Sequence, residues 1–183
     1  MTFSTLQKAA LIRFAEQGFN GTSLAQIAAD VGIKPPSIYA HFKSKEELFL
    51  SLIGPTVEEE LAYVRRALPG PEGGEKMLAG FLRNIERRFE TAPVMRFLLH
   101  GAYLPPQQLY EQVDRIIKRY MINLDKIVIE IFRQMPPGRL PPEVMAEAYT
   151  GIIDSLQAEI LYGGKKRFRK RLAALWALFR LVL

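Results

Sequence analysis

Apolar residues recur at helical spacing along nearly the whole chain. Over residues 6–17, Leu6, Ala9, Ala10, Phe14 and Ala15 fall on one face of a helix, and Gly18 with Phe19 just beyond marks its end. Leu24, Ile27, Ala28 and Val31 give the i, i+3, i+4, i+7 pattern of a second, short helix. Ser23 and Gln26 are spaced as a capping box at its start, and Gly32 is the residue that stops it. Pro35-Pro36 opens a third, because first-turn N–H groups have no partner to lose. There Ile38 and Phe42 form an inward i, i+4 pair and leave Lys34, Pro35, Ser37, Tyr39 and His41 pointing outward. Ser44 caps the next helix, Glu46 and Glu47 complement its N-terminal dipole, and Leu48, Phe49, Leu52 and Ile53 form its buried stripe. Gly54-Pro55 is expected to bend or interrupt that helix before it resumes through Leu68.

Further helices are expected over residues 75–90, 92–104, 107–134, 143–162 and 166–182. Neither a period of two nor an internal repeat occurs, so the chain reads as all-α with about nine helices. A three-helix N-terminal domain is expected over residues 1–50 and a helical domain over 51–183. The breaker cluster Pro69-Gly70-Pro71-Glu72-Gly73-Gly74 is the expected seam.

Composition removes several chemistries. With no cysteine and two histidines in 183 residues, disulfides, zinc fingers and thiol catalysis are excluded, and no metal or cofactor is expected. No paired carboxylates, nucleophile–base pair or glycine-rich phosphate loop is present, so no residue is assigned as catalytic and the chain is not expected to be an enzyme. No run reaches the ~18 apolar residues of a membrane span, and the N-terminus lacks a signal-peptide layout; a cytoplasmic location without membrane contact is expected. The net charge of +6 is uneven. Residues 1–52 carry five basic against four acidic side chains (+1), residues 53–162 carry 13 against 15 (−2), and residues 163–183 carry seven basic and none acidic (+7).

Two short helices joined at Gly32, the second with polar, aromatic and basic groups outward, form a helix–turn–helix that reads DNA, since the major groove admits a helix. The first-turn amides at Thr22 and Ser23 are a candidate anion site for a phosphate. The run Leu6…Ala10…Phe14…Gly18-Phe19…Thr22-Ser23-Leu24…Ile27-Ala28…Val31-Gly32-Ile33…Ser37-Ile38-Tyr39…His41-Phe42…Lys45-Glu46…Leu48-Phe49 resembles the N-terminal domain of the TetR family of bacterial transcriptional regulators. The resemblance covers about the first 50 residues. It implies that Lys34, Pro35, Pro36 and Ser37 face base edges and that Tyr39, His41 and Lys45 contact the phosphate backbone. Two positions depart from the family pattern: Arg13 stands where an apolar residue is usual, and the double proline replaces a polar residue beside small ones.

The last residues, 172–183, are apolar on nearly every face except Arg180, and such a helix is buried on all sides. The preceding helix carries a small-residue strip of Ala148, Gly151, Ser155 and Ala158. Gly151, Ser155, Ala158, Leu172, Leu175, Trp176 and Phe179 are therefore expected at a homodimer interface, and the resemblance implies a four-helix one. The basic run at residues 165–171 reads as a solvated loop and helix start rather than a second nucleic-acid patch. Phe81, Phe89, Phe97, His100, Tyr103, Tyr110 and Met121 are the candidates to line a cavity for a hydrophobic small-molecule effector. Together these readings describe a repressor released from a double-stranded operator by such an effector. The alternative is a dimeric, architectural DNA-binding protein without a switch.

Overall fold

The computed structural model describes residues 4–68, 70, 73–103 and 105–183, with only the backbone of Ala102 and Tyr103. Among the described residues there is no strand, and there are eight α-helices: α1 (Thr5–Gly21), α2 (Leu24–Asp30), α3 (Lys45–Ala67), α4 (Gly74–Thr91), α5 (Pro93–Tyr103), α6 (Tyr110–Gln134), α7 (Pro142–Ala158) and α8 (Gly164–Phe179). Pro35–Ala40 and Gln107–Leu109 are 3-10 turns, and Glu159–Gly163 is a π turn. With Pro35–Ala40 counted as a helix, the number is the nine expected.

Local signals set the helix ends. Ser4 with Gln7, and Ser23 with Gln26, each complete both hydrogen bonds of a capping box. Gly32, at φ 70°, ends α2. Its N–H donates to the Ala29 carbonyl and that of Ile33 to the Ala28 carbonyl, the paired bonds of a Schellman motif. Gly18, at φ 67°, breaks the helix inside the span of α1, where the sequence placed the stop.

Pro55 does not interrupt α3, which corrects the expectation of a break at Gly54-Pro55. Leu48, Leu52, Ile53, Val57, Leu61 and Val64 are all buried on either side of it. Burying side chains of this kind is worth ~1.5–3 kcal/mol each, which outweighs the roughly 3 kcal/mol that a mid-helix proline costs.

The chain forms two compact units, Met1–Glu60 with Ala92–Tyr120, and Leu61–Thr91 with Met121–Leu183. They divide neither at residue 50 nor at the 69–74 cluster, of which residues 69, 71 and 72 lie outside the described residues. In the first unit α5 packs on α1. Phe97 is wholly buried, its ring centroid 5.1 Å from that of Phe49 and 6.3 Å from that of Phe14; Phe49 also meets Phe14 at 5.2 Å and Phe19 at 5.3 Å. Edge-on pairs of this kind add to the burial of each ring. A Cβ on Gly101 would stand 3.5 Å from Ile53 Cδ1 and 3.6 Å from Phe49 Cζ, ordinary contacts that mark how closely α5 approaches α3.

The second unit is built around Tyr149, buried on α7. Its hydroxyl donates to the Leu78 carbonyl at 2.8 Å, and its ring contacts Phe81, Phe132 and Phe179. Burial pushes the Tyr149 hydroxyl well above its ordinary pKa. Acidic side chains meet the basic residues of α8 and of its C-terminal cap: Arg169 with Glu86, Lys165 with Glu90, both Arg167 and Arg171 with Glu159, and Arg180 at the cap with Glu75. Gly163 makes room for that last carboxylate, since a Cβ there would overlap Glu159 Oε2.

Candidate nucleic-acid interface

The reading turn Pro35–Ala40 follows from its sequence. Pro35 and Pro36 occupy its first two positions, the Ser37 N–H donates to the Lys34 carbonyl at 2.9 Å, and the His41 and Phe42 N–H groups both donate to Ile38. A 3-10 turn has three residues per turn, so side chains three apart eclipse. Pro35 and Ile38 share one row, Pro36 and Tyr39 a second, Ser37 and Ala40 a third. Ile38 is 0% exposed and anchors the turn to the head, whereas Tyr39 is 59% exposed. An α-helical reading would have aligned Ile38 with Phe42 and put Pro35 outward. In the observed turn both Pro35 and Pro36 are exposed. Lys34, Pro35, Pro36, Ser37, Tyr39 and His41 are all exposed. Lys43, not among the residues expected at DNA, is exposed beside them; its place two residues after His41 was the available signal.

Three of the expected contact residues have partners within the head itself. Thr22 is 2% exposed, and its hydroxyl donates to the Gly18 carbonyl at 2.8 Å. Its N–H is directed at the Phe19 carbonyl, and that of Ser23 donates to Gln26 Oε1 at 2.8 Å. The amides expected to hold a phosphate are thus used by the turn and the capping box. Lys45 Nζ donates to the Phe19 and Thr22 carbonyls at 2.9 and 3.0 Å and lies 4.2 Å from the Phe19 ring centroid. Two of its three donors therefore hold the start of α3 against the turn between α1 and α2. Arg13, unusual in its helix, is explained by Asp30, which it grips through two hydrogen bonds of 2.5 and 2.6 Å that tie α1 to α2. That pairing holds the Asp30 carboxyl below its ordinary pKa.

Two further groups of candidates lie outside the head. Gly151, Ser155 and Ala158 are on the outer face of α7, in a row that Val144, Ala148 and Tyr162 extend. On α8, Ala174 and Leu178 are exposed, as is Leu181 just beyond, with Leu178 at 65% and Tyr162 at 67%. Phe179, expected at an interface, is 5% exposed and packs on Tyr149 and Phe132 of its own chain; Leu172, Leu175 and Trp176 are half-buried. The apolar-all-round reading of this helix could not tell its two sides apart.

The effector candidates are divided between the two units. Phe97, His100 and Tyr110 belong to the first unit and Phe81, Phe89 and Met121 to the second; the Tyr103 side chain lies outside the described residues. Phe81 and Phe97 are core residues, packed on Tyr63 and Tyr149 and on Phe14 and Phe49 respectively, and Tyr110 and Met121 are exposed. His100 is half-buried, and its Nδ1 has no hydrogen-bond partner. Desolvation lowers its pKa below 6.5 although a hydrogen bond to the Ala15 backbone pulls the other way. Among the described residues no cluster of histidine and acidic side chains is placed to hold a metal, and no helix is long and apolar enough to cross a membrane.

Comparison with known proteins agrees with this geometry. Residues 6–52 match the family model described as bacterial regulatory proteins, tetR family. The HTH-type transcriptional regulator UidR of Escherichia coli K12 is 25% identical over 152 residues, covering 82% of this chain and 72% of UidR. A TetR-family transcriptional regulator from Agrobacterium tumefaciens has the same fold, with a TM-score of 0.71 at 18% identity over 97% of this chain and 95% of that one. So does the transcriptional regulator FadR of Bacillus subtilis, solved in complex with stearoyl-CoA, at 0.63 and 20% identity over 96% of each. The capped α2, the exposed reading turn and the match over residues 6–52 thus converge on one conclusion: those residues form a helix–turn–helix head of the kind found in bacterial regulatory proteins of the tetR family.

Proposed function

We propose that the chain is a homodimeric repressor that binds a two-fold symmetric operator in double-stranded DNA and leaves it when a hydrophobic small molecule binds. The observation that carries the DNA part is the reading turn. Its buried Ile38 fixes it to the head, while Pro36, Ser37 and Tyr39 stand exposed on the remaining rows. Base contacts belong to those residues and to Lys34; phosphate contacts belong to Lys34, His41 and Lys43, with the third donor of Lys45. The three-helix head within residues 1–50 is the DNA-binding part, and residues 51–183 serve pairing and effector binding.

Dimerisation is supported by the row of exposed Val144, Ala148, Gly151 and Tyr162 with half-buried Ser155 and Ala158 between them, together with exposed Ala174, Leu178 and Leu181, since exposed apolar faces mark association surfaces. Two heads about one helical turn (~34 Å) apart would engage successive major grooves. An effector can release DNA only through a difference in its affinity for the bound and free conformations. Stearoyl-CoA is the first ligand to test, because a regulator of the same fold was solved with it. The test is fluorescence anisotropy of a selected operator titrated with stearoyl-CoA. Release at micromolar ligand supports the switch; an unchanged affinity with this and other apolar ligands favours a dimeric DNA-binding protein without one.

A further inference from the structure

Where α5 packs on α1, within the first unit, the fold buries a nitrogen that no neighbour bonds. His100 is half-buried, and its Nδ1 is closed off from solvent with no hydrogen-bond partner among the described residues. The bond to the Ala15 main chain therefore comes from the other ring nitrogen, Nε2. Because that bond favours the charged ring, the Ala15 carbonyl accepts and Nε2 carries the hydrogen. Gly18 breaks the helix three residues beyond Ala15. The Ala15 carbonyl thus falls in a last turn, where main-chain acceptors have no partner along the helix. His100 is a cap supplied to α1 from α5. The turn it secures leads through Gly18 and Thr22, joined by the Thr22 hydroxyl, into α2 and the reading turn.

This arrangement suits a neutral ring. A second proton would place an N–H on Nδ1 where no acceptor stands, and a buried donor left unpaired is costly. Arg96, on the same helix, opposes the charge as well. Other charged groups are engaged elsewhere. On α1, Arg13 is bound to Asp30, and Lys8 and Glu16 are exposed. From α3, Phe49 and Ile53 meet α5 at Gly101, and Lys45 is held by the Phe19 and Thr22 carbonyls. A helix end does favour a cation, but by less than an unpaired buried donor costs.

We propose that His100 is a proton-sensitive positioning residue: neutral, it caps α1 and holds the entry to the reading turn in place, and protonated, it lets the seam between α1 and α5 open and weakens the hold on DNA. The effect on DNA rests on the DNA-binding reading above; the behaviour of the seam does not. Burial, and after it the charge of Arg96, keeps the ring below its ordinary 6.5 while the seam is closed, and an opened seam restores the ordinary value. Closure is therefore fully present above 6.5 and is lost as pH falls below it. At about pH 5.5 the loss amounts to severalfold, with a ceiling of about tenfold set by one unit below the ordinary value.

Hydrogen exchange of the full chain at about pH 7.5 and about pH 5.5, corrected for the intrinsic pH dependence of exchange, reads the seam directly. Amides at the end of α1 and in α5 of the wild type lose protection severalfold in acid. In His100→Gln, whose amide can donate to the same carbonyl but does not titrate, they keep it. The affinity for an enriched duplex falls in acid more steeply for the wild type than for His100→Gln, by the same factor; His41 is present in both proteins and drops out of the comparison. His41 and His100 are the two histidines of the chain, so ring resonances of the unaltered protein give a titration that does not depend on how the variant folds, with His100 below 6.5. Equal acid loss of protection in both proteins, or a His100 ring that titrates at or above 6.5, overturns the proposal. A difference in protection with parallel affinity profiles overturns the effect on DNA. Failure to enrich any duplex overturns the DNA-binding reading and leaves the exchange result to judge the seam.

Discussion

The reading head and α8 use positive charge in opposite ways. Residues 163–183 hold seven basic side chains and no acid, yet five of them are paired, with Glu75, Glu86, Glu90 and Glu159. Residues 1–52 hold a net of only +1; there Arg13 is bound to Asp30 and Lys45 to main-chain carbonyls, while Lys34 and Lys43 stand exposed. The most basic stretch of the chain is thus largely committed to holding its own unit together, and the nearly neutral head keeps its few uncommitted cations beside the reading turn. What a segment offers a polyanion depends on which charges are already satisfied, not on their sum.

The largest expected effect concerns neither set of charges but the frame that keeps the head's sparse contacts in register. Phe97→Ala on α5 leaves a cavity against Phe14 and Phe49 and should cost about 3–5 kcal/mol in chemical denaturation. A loss below 1 kcal/mol would mean that α5 does not support the head. Next, Lys45→Ala removes two charged hydrogen bonds and a cation over a ring, and a loss of about 2–3 kcal/mol of stability is expected, with weaker binding to all duplexes alike. If Lys45 served only as a phosphate contact, stability would be unchanged.

Lys34→Ala sharpens the contrast from the other side. It should leave stability untouched and flatten the dependence of log affinity on log salt by about one unit per half-site, whereas Arg169→Ala should leave that slope as it is. Equal slopes for the wild type and Lys34→Ala would remove this lysine from the phosphate contacts.

The smallest effect is a pH dependence. Hydrogen bonding to Arg167, with the charge of Arg171 beside it, holds the Glu159 carboxyl below its ordinary value of 4.5. A depressed carboxylate contributes stability above its unfolded pKa and loses it as pH falls through the folded one. The thermal midpoint of the wild type should therefore fall in acid below pH 4.5 more steeply than that of Glu159→Gln, which begins lower at neutral pH. Parallel acid profiles would show that this pairing contributes nothing to α8.

Much of the head was legible in the sequence because its signals are local. Ser23 with Gln26 three residues on, and Gly32 at the end of α2, form the bonds their spacing predicted. The all-α class followed equally from periodicity. Other features depend on groups that sequence does not display. Lys45 is held by carbonyls of Phe19 and Thr22, 26 and 23 residues away, and main-chain acceptors leave no mark in a sequence. The packing of Phe97 on Phe14 is a long-range pairing that no window contains. The 3-10 form of residues 35–40 was hidden because two prolines opening a helix suit either form. Pro55 stayed in its helix because burial along α3 outweighed a local penalty.

The central claim is that specificity resides in a few exposed side chains of one turn. The most direct test is enrichment from a random duplex pool with the wild type beside a protein in which Pro36, Ser37 and Tyr39 are all alanine. The account predicts that the wild type enriches an inverted repeat with half-sites about one turn (~34 Å) apart, and that the triple variant still binds DNA weakly but enriches no sequence. Enrichment of the same repeat by the triple variant would place the reading elsewhere in the chain and contradict the account.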